Sequence, residues 1–335
     1  MRIIVNESLQ PSFNLAVEEM LLRDTEGDIF LLWRNDRTVV IGRNQNAWAE
    51  VDIPEAEKRG ISVVRRLSGG GAVYHDRGNV NFTFITDARQ SGVDFGRFTA
   101  PIVRALGALG VQAQADGRND ILVNGAKISG NAQCTYRRPD GSARLLHHGT
   151  LLLDADMSAL SAVLRPCPEK LKTKGIASVR SRVTNLRDVP GFPSMDAREL
   201  MDYLARTAVD GGELCPLTEA EIRAAEELCQ AKYGTWEWNC GKSIAHDTEY
   251  GARFPFGIVR AAYSVREGRI TSLRLWGDYF GTAPVSALEE ALCGCLLRRD
   301  ALLQALSGAS YPVSDCISGA SAEQLVSLIL GEHNQ

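Results

Sequence analysis

The sequence has no apolar run on the order of eighteen residues, so no membrane-spanning helix is expected. It has no Cys-x-x-Cys. Its eight cysteines are scattered at 134, 167, 215, 229, 240, 293, 295 and 316, which excludes a zinc ribbon or a disulfide scaffold and suits free thiols in a reducing cytoplasm. Cys293 and Cys295 lie two apart in a predicted helix and diverge, so they make poor joint ligands. Net charge is only −4, so no overall positive field recruits nucleic acid. There is no internal repeat and no low-complexity segment. Met1 to Asn6 reads as a first strand, not a signal peptide. Two phosphate-binding loops are also missing. The glycines at 69–71 are not followed by Gly-Lys-Ser/Thr, and they lead into a strand where a dinucleotide-binding loop needs a helix. Gly241-Lys242-Ser243 resembles the end of a Walker A loop, but Trp236 stands where the first glycine belongs.

What is present centres on one stretch, Arg65-Arg66-Leu67-Ser68-Gly69-Gly70-Gly71-Ala72-Val73-Tyr74-His75-Asp76. An apolar strand, Ile61 to Val64, precedes it. A second, with Val80, Phe82 and Phe84 alternating against Asn81, Thr83 and Thr86, follows. Three consecutive glycines bury no side chain and cost backbone entropy, so packing is not their expected purpose. They permit positive φ, and their bare N–H groups can form a concave anion site flanked by two arginines. Either the loop holds an anionic ligand such as a nucleotide phosphate, or it is a flexible hairpin with a glycine bulge.

With 335 residues, roughly two domains are expected. A helix opens at Ser12, with Phe13, Ala16, Val17, Met20 and Leu21 on one stripe and Glu18 and Glu19 on other faces. Ile29–Trp33 and Thr38–Ile41 read as strands joined by a turn at 34–37, and Trp33 is either core or pocket wall. Helices follow at 54–59 and around Phe98 to Leu109, then a strand at 111–115. Asn124-Gly125 signals a two-residue hairpin that places Asp120 roughly opposite Ser129 and brings Lys127 near Asp120. Lys127 is then a surface lysine on an edge strand or a lysine aimed at a phosphate or carboxylate. His147 and His148 adjoin on a strand, so at most one enters a given site. Lys170 to Leu186 is basic and aperiodic, either disordered or ordered by an anionic ligand. Helices are predicted at 156–164, 194–209 and 218–232, the last opened by a capping box at Thr218 and Glu221. Residues 240–253 read as a linker to a small α+β module, with a hairpin turning at Glu267-Gly268 and helices near 284–297, 299–306 and 321–330.

Taken together, Arg65 to Phe84, Gly117 to Ala132, His147 to Asp154, Lys174 to Leu186 and Trp236 to Asn239 closely resemble the bacterial lipoate–protein ligase A family, in the family's order. The resemblance implies an α/β (α+β) fold, with a biotin/lipoate–protein ligase-like catalytic domain over 1–245 and a small C-terminal domain over 246–335. It implies that lipoate and MgATP give lipoyl-adenylate, whose lipoyl group passes to a lysine of a lipoyl domain. The acceptors would be 2-oxoacid dehydrogenase E2 subunits and the glycine-cleavage H protein. Carried over residue by residue, Lys127 is catalytic and bridges the lipoate carboxylate and the α-phosphate. Arg66, Gly70, Gly71, Ala72, Val73, Tyr74, Ser178 and Arg180 hold ATP or the adenylate. Trp33, His75, His148 and Gly149, with Arg66 and Lys127, hold lipoate, and Asp120 is a ligand for Mg²⁺. Lys174 to Asn185 matches a loop that closes over the adenylate. A cytoplasmic monomer is expected, with neither nucleic acid nor membrane as partner. The Asp120–Lys127 hairpin is tighter than in some relatives.

An octanoyltransferase of the same fold is the nearest alternative, with Cys134 as the residue to test as its nucleophile. A transferase that uses preformed lipoyl-adenylate, a biotin ligase and a ligand-sensing regulator are others. ATP dependence separates the first two from the ligase.

Overall fold

The apolar runs of the first half of the chain become strands. In order they are β1 (Arg2–Val5), β2 (Ile29–Trp33), β3 (Thr38–Ile41), β4 (Ser62–Arg65), β5 (Val73–His75), β6 (Asn79–Asp87), β7 (Ala113–Ala115), β8 (Asp120–Val123), β9 (Ala126–Arg137), β10 (Ala143–Leu152) and β11 (Glu213–Leu214). The computed structural model describes residues 1–88, 94–116, 119–164, 183–241 and 246–332. The chain divides into two units. The first comprises Met1–Val40, Val51–Arg65 and Val73–Asn239, and the second Ile41–Glu50, Arg66–Ala72 and Cys240–Gln335.

An eight-stranded mixed sheet, ordered β11-β1-β2-β6-β10-β9-β8-β7, frames the first unit, and β4-β3-β5 form a small second sheet. β2 and β3 thus belong to different sheets. The segment 34–37, expected as a turn between adjacent strands, carries the chain from one sheet to the other, and Asn35 within it is fully buried. β6 alternates apolar with polar in sequence, yet it is buried from Asn79 to Thr86. The reason is that both faces of this central strand are covered. Helix α1 (Pro11–Asp24) lies against it, and so does helix α3 (Ala197–Thr207), which shares a core with Phe82 and Phe84 through Leu200 and Leu204. Helix α2 (Gly96–Ala108) adds Phe98, Ile102 and Leu106 to the same core, each contributing roughly 1.5–3 kcal/mol of transfer free energy.

Helix α1 departs from its sequence pattern for the same reason. Glu18 and Glu19 are buried, not solvated. The helix is enclosed between the sheet and helix α4 (Glu219–Leu228), so no face is left for water. Glu19 accepts from Lys232 Nζ and Tyr233 Oη, each at 2.6 Å. Both partners come from a π-helical turn, Cys229–Tyr233, that continues α4. The capping box at Thr218 and Glu221 forms as expected. A short helix, Trp236–Asn239, then clamps the buried Arg65. The Arg65 guanidinium donates to the carbonyls of Trp238 and Asn239 at 2.9 Å, and its backbone N–H donates to Asn239 Oδ1 at 2.9 Å.

The second unit is built on β12 (Thr248–Phe254), β13 (Gly257–Arg266) and β14 (Arg269–Gly277), antiparallel in that order. β12 occupies the second half of the stretch that reads as a linker. Its one-sided pairing to β13 supplies the order that periodicity does not reveal. The β13–β14 turn falls at Glu267 and Gly268, with φ of 51° and 74° as a type I′ turn requires. Helices Ser286–Leu292, Arg299–Ser307, Val313–Cys316 and Ala322–Ile329 close a separate core on this sheet. The expected α/β (α+β) class is borne out. No helix among the described residues is long and apolar enough to cross a membrane.

Candidate active site

The β8–β9 hairpin turns at Asn124 and Gly125, with φ of 50° and 79°. Val123 pairs with Ala126, but the register shifts between Ile121 and Leu122. This bulge puts Asp120 opposite Gly130, one place beyond the expected Ser129. Lys127 stands across from Leu122, and its ammonium reaches Asp120 Oδ1 at 2.7 Å. The two side chains are 31% and 25% exposed, so the pair is reachable by a ligand. β9 lies inside the sheet, not at its edge. At Lys127 itself, Val183 forms a parallel bridge, and Thr184 N–H donates to the Lys127 carbonyl at 2.9 Å. Asn185 exchanges two hydrogen bonds with the backbone of Ala155. The downstream end of the basic stretch is therefore fastened beside Lys127. Ser178 and Arg180 lie outside the described residues.

Trp33, His75 and His148 are all buried in the first unit. The Trp33 indole donates to Thr83 Oγ1 at 2.9 Å, and that hydroxyl donates to Glu18 Oε1 at 2.6 Å. His148, paired across the strands with Thr83, places Nδ1 3.0 Å from the same carboxylate oxygen. A carboxylate only accepts, so His148 Nδ1 carries a proton. The opposite holds at His75. Asn14 donates to Asn35 Oδ1 at 2.9 Å, which leaves the Asn35 amide as donor to His75 Nδ1 at 3.2 Å. His75 is thus protonated on Nε2. Trp33 and His75 meet edge-on at 6.2 Å between ring centroids.

His147 faces the other side of β10, as strand alternation requires. It stacks on Phe98 at 4.9 Å and lies between Gln133 and Asn131. Burial pushes its pKa well down, so it stays neutral. Gly149 has no space for a side chain, because a Cβ would sit 2.2 Å from Asn131 Oδ1 and 2.3 Å from Phe82 Cζ. Tyr74 and Val73 lie on β5, and burial raises the Tyr74 phenol above its ordinary pKa.

Arg66, Gly70, Gly71 and Ala72 belong to the second unit. There the glycines are packed, contrary to the expectation that packing does not explain them. A Cβ on Gly69 would fall 2.3 Å from the Tyr279 carbonyl oxygen, and one on Gly42 would fall 2.0 Å from the Gly70 carbonyl oxygen. Gly70 has φ of 88° and donates its N–H to Tyr279 O at 3.2 Å. Gly71 alone faces open space. The Arg66 guanidinium braces the loop from within, donating to Ser68 Oγ at 3.0 Å and to the carbonyls of Gly69 and Gly71 at 2.6 and 2.8 Å.

Sequence reasoning missed Glu18, Thr83 and Asn35. The available signal was two adjacent carboxylates inside the otherwise apolar run from Leu15 to Leu22. Among the described residues, no group of three or more His, Cys, Asp or Glu could hold a metal ion. Asp120 offers one partly exposed carboxylate already facing a cation. A carboxylate is a donor of the kind magnesium takes alongside water and phosphate oxygen, but here Oδ1 already meets the Lys127 ammonium.

Residues 10–208 match the family model described as lipoyl protein ligase A/B catalytic domain, and residues 243–329 match bacterial lipoate protein ligase C-terminus. Lipoate–protein ligase 1 of Staphylococcus aureus is 40% identical over 92% of this chain and 94% of its own length. Lipoate-protein ligase LplJ of Bacillus subtilis is 37% identical over the same shares. Among solved structures, P. falciparum LipL1 in complex with lipoate has the same fold, with a TM-score of 0.79 at 24% identity over 98% of this chain and 99% of that one. A lipoate–protein ligase A bound with ATP is 30% identical over 72% of this chain and 98% of its own, with a TM-score of 0.60. The bi-partite lipoate protein ligase of Thermoplasma acidophilum, studied with its E2 lipoyl domain, is 31% identical over 74% of this chain and 98% of its own, with a TM-score of 0.62.

Proposed function

The chain belongs to the lipoate–protein ligase family, and from that premise we propose that it makes and uses lipoyl-adenylate. A lipoate carboxylate oxygen attacks the α-phosphorus of ATP, and pyrophosphate leaves. The ε-amine of an acceptor lysine then attacks the acyl carbon, the amide forms and AMP leaves. The observation that carries this reading is the Lys127 ammonium, held at 2.7 Å by one carboxylate on a tight hairpin and partly open to solvent. Such a cation can draw a carboxylate and a phosphate together that would otherwise repel, and can stabilise charge that develops on the phosphoryl oxygens.

Further roles follow the family pattern. In the first unit Trp33, His75, His148 and Gly149 line the acyl chain, and Val73 and Tyr74 face the nucleotide. Arg66, Gly70, Gly71 and Ala72 serve the adenylate, with Ser178 and Arg180 supplied by the basic stretch. Magnesium, arriving with the nucleotide, would be held by Asp120 and would neutralise phosphate charge. The acceptors are lipoyl domains of 2-oxoacid dehydrogenase E2 subunits and of the glycine-cleavage H protein. The enzyme acts as a cytoplasmic monomer, with no nucleic acid or membrane partner. The neighbour bound with ATP and the archaeal ligase studied with its lipoyl domain support both half-reactions at 30–31% identity.

The test is lipoate-dependent ATP–pyrophosphate exchange with purified protein, Mg²⁺ and no acceptor. Exchange that needs lipoate and not biotin is expected. Absent exchange, with acyl transfer from a carrier protein or from supplied lipoyl-adenylate, replaces this reading with that of a transferase.

A further inference from the structure

We propose that Gly130 is a positioning residue for Lys127 and acts through the side chain it lacks. This rests on the reading of Lys127 as the adenylation cation. Gly130 sits on β9 directly opposite Asp120 on β8. A Cβ built on it would lie 2.8 Å from Lys127 Nζ, 3.0 Å from Lys127 Cε and 3.9 Å from Asp120 Oδ1. These are its three nearest neighbours, and none is a backbone atom. The Lys127 side chain therefore runs over the bare Cα of Gly130 to reach the carboxylate on the far side.

Nothing else in the backbone calls for glycine here. Gly130 is absent from the positive-φ residues. Its N–H donates to Thr150 Oγ1 at 3.1 Å, a bond any residue but proline would keep. Glycine inside a strand is unfavourable, since it adds entropy to the unfolded chain and packs nothing. Gly149, nearby on β10, makes the contrast. There the missing Cβ is excluded by the Asn131 amide and the Phe82 ring. At Gly130 the excluded space belongs to the end of one flexible lysine, and the carboxylate it meets is at ordinary contact distance. That lysine can swing aside at little cost to the fold, but it then leaves the position from which it would meet two anions. Misplacement by about 1 Å at a reacting centre costs on the order of 100-fold in rate.

The experiment compares full-length wild type, Gly130→Ala, Lys127→Ala and the double variant in lipoate-dependent pyrophosphate exchange, lipoate titration and thermal unfolding. Gly130→Ala is expected to unfold at or above the wild-type temperature. Its exchange kcat should fall on the order of 30- to 100-fold, with KM for ATP changed by less than about threefold. It should weaken lipoate binding in the wild-type background and not in the Lys127→Ala background, because the effect passes through that side chain. Exchange within about threefold of wild type overturns the proposal. So does an equal loss of lipoate affinity in both backgrounds, or a Gly130→Ala protein that fails to fold. Normal exchange by Lys127→Ala would instead remove the reading of Lys127 on which the proposal stands.

Discussion

The Glu18 carboxylate lies 3.0 Å from Nδ1 of His148, although 130 residues separate them in the chain. The same oxygen accepts from Thr83 at 2.6 Å, and Thr83 accepts from the Trp33 indole. One buried carboxylate thus sets the orientation of three side chains on three strands. Replacing Glu18 with leucine leaves His148 and Thr83 buried without their acceptor. The expected loss is about 3–5 kcal/mol of unfolding free energy in urea, against a much smaller loss for Glu18→Gln, which keeps an acceptor oxygen. Equal losses for both variants would mean that packing, not the shared carboxylate, holds this layer.

Lys127→Ala should lower lipoate-dependent pyrophosphate exchange by on the order of 100- to 1,000-fold or more, as removal of a charge-stabilising donor does elsewhere. Lys127 is partly exposed and its ammonium meets a carboxylate that is also partly exposed, so stability should change by less than about 1 kcal/mol. Exchange kinetics and denaturant melts together check both halves of the statement.

Gly69→Ala should act on the fold of the second unit. Its Cβ would meet the backbone oxygen of Tyr279 at 2.3 Å, and backbone cannot swing aside as a lysine end can. A loss of about 1–3 kcal/mol is expected. Gly71→Ala, which faces open space, should unfold as the wild type does. Parallel thermal melts of the two variants decide this.

Acid should weaken one specific link. Hydrogen bonding to Arg2, opposed by partial burial and aided by Thr218, holds the Glu221 carboxyl down at about 2. The folded pKa is therefore depressed below the ordinary value of 4.5. Stability from this pair is present above pH 4.5 and is lost as the pH falls from there through about 2. The guanidinium bonds both carboxylate oxygens, at 2.5 and 2.8 Å, but the pair is partly solvated. Its contribution should be about 1 kcal/mol. Unfolding free energies of wild type and Glu221→Gln should differ at pH 7 and converge near pH 2. A difference that persists in acid would assign the effect to something other than ionisation.

Much of the molecule is readable locally. The helix stripes around Phe98, the capping box at Thr218, the type I′ turns at Asn124-Gly125 and Glu267-Gly268, and the opposed faces of His147 and His148 depend on residues within a few positions of one another. Backbone sterics and side-chain period decide them before any distant contact forms. Even the approach of Lys127 to Asp120 follows from hairpin register, with an error of one residue where a bulge intervenes.

What the tertiary structure alone decided depends on partners far away in the chain. Glu18 and Glu19 read as lying off the apolar stripe of α1, and they are buried because the sheet and α4 cover the helix on both sides. β2 and β3 read as neighbours and part into two sheets, with the intervening Asn35 set against His75. The glycine triplet reads as a bare loop, and its first two members are packed on the backbone and ring of Tyr279 and Phe280, some 200 positions downstream. Glycine is the extreme case. Residue type states only that a side chain is missing, and whether the space belongs to a backbone carbonyl, as at Gly69, or to a lysine side chain, as at Gly130, exists only once the chain has closed on itself.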